Sequence, residues 1–343
     1  MKKFNEIFID KTKYGEKIQT SEYEKQGKHI IVDQGQAEIA GYTNREEGLF
    51  NEVPVIIFGD HTRLIKYIDE PFFLGADGVK VLRSKEKNAN YKYLYYALKS
   101  AKIPNTGYNR HFKWLKDVEI NYPDSVKQEK IVDILDRVSD VIEKRKAELS
   151  YLDTLIKARF VEMFGDPIIN SKGLETKELN EVLVLKAGDF TAASDISVEP
   201  TEINIYPCYG GNGIRGYVAE YNQEGEYSLV GRQGALSGNV QYATGKFKNT
   251  EHALLVKPII RMNSIWLNQL LLNLDLKRYQ TGAAQPGLSV KNLQDIQIIM
   301  VPIDEQRVFA DFVHQIDKSK SAVKKALDET QLLFDSLMQE YFG

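Results

Sequence analysis

The chain has 343 residues, long for one domain and comfortable for two. Hydrophobic residues make up 43% and charged residues 27%, enough to bury a core and too apolar for a disordered chain. A single cysteine, Cys208, excludes a disulfide framework and a CxxC zinc site, and the net charge of −3 gives no global sign of nucleic-acid binding, so any basic surface must be local.

The N-terminus, MKKFNEIFIDKTKYGE, has two lysines but no apolar core of a signal peptide, and no apolar run approaches the ~18 residues of a membrane helix. A cytoplasmic chain is expected. Residues 1–122 read as a first α+β domain. VPVIIFG (Val53–Gly59) and FFLGADGVKVL (Phe72–Leu82) are short β-rich runs punctuated by glycine. YKYLYYALKS (Tyr91–Ser100) is a short helix near the end of the domain. Residues 123–165 form a long helix. From about Gln128 to Met163 there is no proline or glycine, and Leu135, Ile142, Leu149, Ile156 and Met163 repeat every seven residues. A second row is read at Ile134, Val141, Glu148 and Leu155. A seven-residue period held this long indicates a coiled-coil seam, on the order of 50 Å long at ~1.5 Å per residue.

Residues 166–302 form a second domain of the same kind. YPCYGGNGIRGYV (Tyr206–Val218), YSLVGRQG (Tyr227–Gly234) and EHALLVKP (Glu251–Pro258) are β-rich, and SIWLNQLLLNL (Ser264–Leu274) is its short helix. Residues 303–343 form a second long helix. Phe309, Ile316, Val323 and Leu337 lie on one row and Val313, Leu327, Phe334 and Tyr341 on another, with Lys320 and Thr330 as flaws.

The chain is a repeat. FVEMFGDP (Phe160–Pro167) resembles the terminal LMQEYFG (Leu337–Gly343). At an offset of 178 residues Ile131 meets Phe309, Asp133 meets Asp311, Val138 meets Ile316 and Phe164 meets Phe342, while LKDVEI (Leu115–Ile120) meets LQDIQI (Leu293–Ile298). Further upstream the offset is 175, where Phe4–Ile7 meets Leu179–Val182. The expected architecture is α+β: two globular domains separated by two long helices that pair as an antiparallel coiled coil, related as a pseudo-two-fold repeat.

This domain–helix–domain–helix order resembles the specificity subunit of type I restriction-modification systems. Gly59–Leu82 looks like a first target-recognition domain, while Tyr206–Val218 and LVGRQGALSGNV (Leu229–Val240) look like a second. KQEKIVDIL (Lys127–Leu135) and DEQRVFADFV (Asp304–Val313) look like the starts of the spacer helices. The resemblance implies a non-catalytic chain that reads a two-part target in double-stranded DNA. It also implies assembly with two methyltransferase subunits and up to two restriction/translocase subunits. No cofactor is expected in this chain; the partners are expected to use S-adenosylmethionine, ATP and Mg. The alternative is a coiled-coil interaction scaffold that does not read DNA.

Base edges are read by Arg, Lys, Asn and Gln, and phosphates are held by basic and hydroxyl side chains. In the first domain the candidates are Asp60, His61, Thr62, Arg63 and Lys66, then Tyr108, Asn109, Arg110, His111 and Lys113. In the second they are Tyr209, Asn212, Arg215, Arg232 and Gln233, then Gln280, Thr281, Gln285 and Ser289.

Enzyme signatures fail on context. Gly211, Gly213 and Gly216 spell GxGxxG, but YVAEYNQEGEY (Tyr217–Tyr227), next in the chain, is strand-like rather than helical. Asp166, Glu175 and Lys177 mimic a nuclease metal site, but Asp166 comes just after a helix end. No two prolines are adjacent, so the Asn-Pro-Pro-Tyr of an adenine methyltransferase is absent.

Overall fold

The computed structural model describes residues 1–75, 78–282 and 286–343. The chain divides into two compact units, 1–146 with 325–343, and 147–324, so each unit takes half of each long helix.

In the first unit a four-stranded antiparallel sheet runs in the order Phe8–Asp10, Val79–Ser84, Val55–Gly59, Ile65–Ile68. Strand Val55–Gly59 is buried along its whole length, as its unbroken VIIF run requires. A three-stranded sheet, Gly41–Thr43, His29–Val32 and Phe72–Leu74, contains one parallel pair. Helix Tyr91–Lys99 begins at Asn90, whose side chain accepts from the Tyr93 N–H. It buries Tyr93, Leu94 and Leu98 in a core shared with Leu135 and Ile142 of the first long helix and Phe334 of the second.

The second unit enlarges the same plan. Its six-stranded sheet runs Leu183–Ala187, Ala253–Pro258, Gln223–Gly231, Val240–Asn249, Tyr206–Gly210, Gly213–Val218. Helix Ser264–Asn273 is capped by Asn263, the counterpart of Asn90. Its Trp266 packs edge-on against Phe164, which meets Phe160 and Phe309 in the same way, at centroid distances of 5.2–6.2 Å. Each such ring is worth about 1.5–3 kcal/mol of burial. The Phe-Gly ending of each long helix therefore anchors it: Phe164 lies in this core, and Phe342 lies 5.3 Å from Tyr93 in the first unit.

The long helices are Ser125–Phe164 and Ile303–Phe342, each of 40 residues. They pair antiparallel: within the first unit Arg145 meets Ala326 and Thr330, and within the second Lys320 lies 2.6 Å from Asp153. The two flaws in the heptad pattern are thus polar contacts across the seam. One row needs correction. Leu135, Ile142 and Ile156 are buried, but Ile134, Val141 and Leu155 are 39–45% exposed. The row that completes the seam is Ile131, Val138, Arg145 and Leu152, all buried or half-buried. Arg145 disguises it, because an arginine whose head bonds across the seam occupies a position that the apolar pattern assigns to a hydrophobe.

The repeat extends to single hydrogen bonds. The Phe4 N–H donates to Val118 and the Leu179 N–H to Ile296, at 3.0 and 2.9 Å. The Gln128 amide donates to Pro123 and that of Gln306 to Val301, at 2.8 and 2.7 Å.

Candidate nucleic-acid interface

In the first unit the core strand Val55–Gly59 ends in the turn Asp60–Arg63. The Asp60 N–H donates to Gly78 (2.7 Å), and its carbonyl accepts the His111 N–H (2.8 Å) and Nδ1–H (3.0 Å). Its carboxylate accepts the Phe112 N–H at 2.7 Å, at the start of the short helix Phe112–Leu115. These bonds tie the turn to His111 and Phe112, 51 and 52 residues further along the chain.

The ties correct part of the sequence reading. Asp60 is 3% exposed and His111 is fully buried, so both are spent on building the loop. Lys66 also points inward, its ammonium 2.5 Å from the Ala37 carbonyl and 3.7 Å from Asp33. Burial lowers its pKa from the usual lysine value, with Asp33 acting in the opposite direction. A run of polar residues does not state which of them the fold needs to satisfy its own buried backbone.

Of the remaining candidates Thr62, Tyr108, Asn109, Arg110 and Lys113 are exposed, and His61 and Arg63 are half-buried. Tyr108 is 88% exposed and stacks on His61 at 4.6 Å, with the rings 8° from parallel. The His61 Nδ1 is buried with no hydrogen-bond partner among the described residues. Arg110 and Lys113 are exposed, the lysine 4.1 Å over the Trp114 ring. Asn109 folds back on the Thr106 carbonyl (2.5 Å), and the Thr62 hydroxyl donates to Gln34 (2.8 Å). Arg63 sits at φ +61°, in the left-handed region, and reaches the Ile103 carbonyl at 3.3 Å.

The second unit builds the same loop from different residues. Strand Gln223–Gly231 is followed by Arg232, whose N–H donates to His252 (3.1 Å) and whose carbonyl accepts the Leu288 N–H (2.9 Å). The short helix Val290–Leu293 comes next, capped by Ser289. Arg232 thus takes the backbone place of Asp60, but its guanidinium makes one long bond, 3.4 Å to the Glu251 carbonyl. Gly231 has no room for a side chain: a Cβ there would stand 2.5 Å from the Gly211 carbonyl. That close approach lays the hairpin turn at Asn212 beside Arg232. The Asn212 oxygen accepts from Asn239 and the Gln233 oxygen lies against His252 Nδ1, both at 2.9 Å. Thr281 and Gly287 exchange two 2.9 Å backbone bonds, Gln280 donates to Ser237 at 2.5 Å, and Asn292 donates to the Thr281 hydroxyl at 3.2 Å. Tyr209 is half-buried against Phe247, and burial raises its phenol pKa above the usual value. Arg215 is exposed on strand Gly213–Val218. Gln285 lies outside the described residues.

Asn239 and His252 join this cluster although the sequence reading passed over them. His252 sat inside a run read as strand; its signal was the Thr-Glu-His turn before the apolar residues begin. GxGxxG spans the hairpin Tyr206–Val218, and the Asp166 carboxylate accepts the Ile168 N–H at 2.8 Å in a helix-end turn. Among the described residues no group of His, Cys, Asp or Glu could hold a metal ion, and no helix is long and apolar enough to cross a membrane.

The family described as "Type I restriction modification DNA specificity domain" matches residues 1–151 and 171–330, one match on each repeat. The chain is similar to the EcoprrI specificity subunit of Escherichia coli, at 36% identity over 200 residues, 57% of this chain and 50% of that protein. The match thus spans half the length of that relative. A putative type I specificity subunit of Mycoplasma genitalium is 23% identical over 96% of this chain and 90% of its own length. The crystal structure of a type I S subunit from M. genitalium shares the fold, with a TM-score of 0.63 and 20% identity over all of this chain and 95% of that one. Two copies of one loop architecture, each inside a match to the same family, place this chain in the type I restriction-modification DNA specificity family.

Proposed function

We propose that this chain is the DNA-recognition subunit of a type I restriction-modification enzyme, reading a two-part target with a fixed gap. The observation that carries the reading is the repetition of one loop scaffold with different side chains. Asp60 and Arg232 hold the same backbone bonds, yet the scaffold presents His61, Arg63, Tyr108 and Arg110 in one unit and Asn212, Arg232, Gln233 and His252 in the other. A fixed frame carrying exchangeable donors and acceptors is what reading two different base sequences requires. The chain itself brings no catalytic group and no cofactor. Two methyltransferase subunits supply the chemistry with S-adenosylmethionine, and up to two restriction/translocase subunits complete the enzyme with ATP and Mg. The assembly works on cytoplasmic DNA.

The test is co-expression with the cognate methyltransferase subunit in a host lacking adenine methylation, with long-read mapping of methylated adenines as the readout. One two-part motif with a constant gap is the expected result. A continuous motif removes the two-reader reading, and a complex that forms without methylating favours the scaffold.

A further inference from the structure

The two units differ in the charge that surrounds their candidate loops. In the first unit residues 99–116 carry five basic side chains, Lys99, Lys102, Arg110, Lys113 and Lys116, and no acidic one. All five are exposed. Other lysines of this unit are neutralised: Lys2 meets Glu86, Lys28 meets Glu46 and Lys92 meets Asp136, at 2.5–2.7 Å. The five form no ion pair among the described residues. Their partners are neutral: Lys113 and Lys116 lie over the rings of Trp114 and Phe112, at 4.1 and 4.8 Å, and Lys99 donates to the Tyr95 hydroxyl at 3.2 Å. Charges of one sign gathered on one surface repel each other, so this strip is unfavourable until an anion meets it.

The repeat does not keep the strip. Counted from the paired helix caps Asn90 and Asn263, Lys99 and Lys102 fall on Leu272 and Asp275. Lys116 is the C-cap of the short helix Phe112–Leu115, a place that Gln294 takes after Val290–Leu293. Three cations are thus replaced by an apolar, an acidic and a neutral residue, and only Lys113 is matched, by Lys291. The strip also brackets the turn Asp60–Arg63. At one end Lys99 lines a hollow with Arg63 and Ile103, whose carbonyl Arg63 reaches. At the other end Lys116 closes the helix that the Asp60 carboxylate holds.

We infer that Lys99, Lys102 and Lys116 hold backbone phosphates of the duplex beside the half-site read by the first unit. Phosphate contacts position a protein on DNA and carry no sequence information, and a mobile ammonium serves them as a point charge. The first unit therefore supplies the larger share of the sequence-independent attraction, and the second relies more on its base contacts. The inference rests on the DNA-recognition reading above and adds to it an unequal division of labour between the two repeats.

The experiment measures binding of the assembled methyltransferase complex to its target duplex between 50 and 200 mM salt. The variants are the triple Lys99→Gln, Lys102→Gln, Lys116→Gln and the single Gln294→Lys. Each phosphate contact contributes about 0.9 to the slope of log affinity against log salt. The triple variant should flatten the slope by about 3, so that the wild type loses roughly 40-fold more affinity than the variant over that range. The methylated motif, mapped by long-read sequencing, should stay the same, which also reports that the complex is folded. Gln294→Lys should steepen the slope by about 1. An unchanged slope in the triple variant overturns the proposal, and so does an altered motif. If the triple variant does not assemble, an unchanged slope in Gln294→Lys overturns it instead. Weaker binding of the methyltransferase subunit to the triple variant without DNA would assign the strip to an acidic protein surface and overturn it too. A wild-type complex that binds no duplex refutes the DNA-recognition reading itself, whereas a steep wild-type slope that the triple variant retains refutes this inference alone.

Discussion

Replacing Arg63 by glycine separates a residue kept for binding from one kept for folding. Arg63 stands at φ +61°. The left-handed region costs a residue with a side chain roughly 1–2 kcal/mol, which glycine does not incur. Against that relief, glycine in the unfolded chain has extra freedom worth about 0.5–1 kcal/mol. The single bond lost is long, 3.3 Å to the Ile103 carbonyl, which puts it at the low end of the usual range, about 0.5 kcal/mol. These effects nearly cancel, so Arg63→Gly should leave the unfolding free energy within about 1 kcal/mol of wild type. If the guanidinium reads a base edge, binding should fall by about 1–3 kcal/mol, roughly 5- to 150-fold. The assay pairs urea denaturation of the chain with binding of the assembled methyltransferase complex to its target duplex. A stability loss well beyond 1 kcal/mol with unchanged DNA affinity would refute the reasoning, because Arg63 would then be a structural residue held in strain for packing.

Three further outcomes are expected. Asp60→Ala should destabilise the first unit by about 1–3 kcal/mol, since the buried Phe112 N–H loses its acceptor, while Asp60→Asn, which keeps an oxygen there, should cost less; equal costs in thermal or urea unfolding would rule out the tie. Arg232→Ala should relax or lose one half of the methylated motif and spare the other, read by long-read mapping; loss of both halves together would argue against separate readers. The Tyr242 phenol is pushed up to about 12, chiefly by burial, from an ordinary value of 10.0. Its contribution to stability is therefore intact below pH 10 and is lost as the pH climbs toward 12. Tyr242→Phe should flatten that alkaline decline in unfolding free energy, and an unaltered decline would show that other groups cause it.

Much of the architecture could be read directly. The seven-residue spacing of Leu135, Ile142, Leu149 and Ile156, the run without glycine or proline, and the recurring Phe-Gly ending are local signals, and local signals suffice for a long helix and its repeat. They do not identify every face. Ile134, Val141 and Leu155 satisfied the same spacing and lie outside the seam, whereas Arg145 broke it and lies inside. Only the partner helix decides this, by offering the Ala326 carbonyl and the Thr330 hydroxyl to the guanidinium.

The candidate site divides in the same way. That polar residues around Asp60, Asn109, Asn212 and Arg232 cluster in loops was visible in their spelling. Which of them face out was not, because Asp60 meets Phe112 across 52 residues and Asn212 meets Asn239 across 27. His252 was hidden for the same reason, since nothing near it in the chain announces Gln233. The sequence by itself determined the two-fold repetition, the helices and the loops that hold the candidate residues, because periodicity and turn residues act within a few positions. The tertiary structure alone decided which polar groups satisfy the fold and which remain for a ligand, because hydrogen-bond satisfaction is settled between segments far apart in the chain.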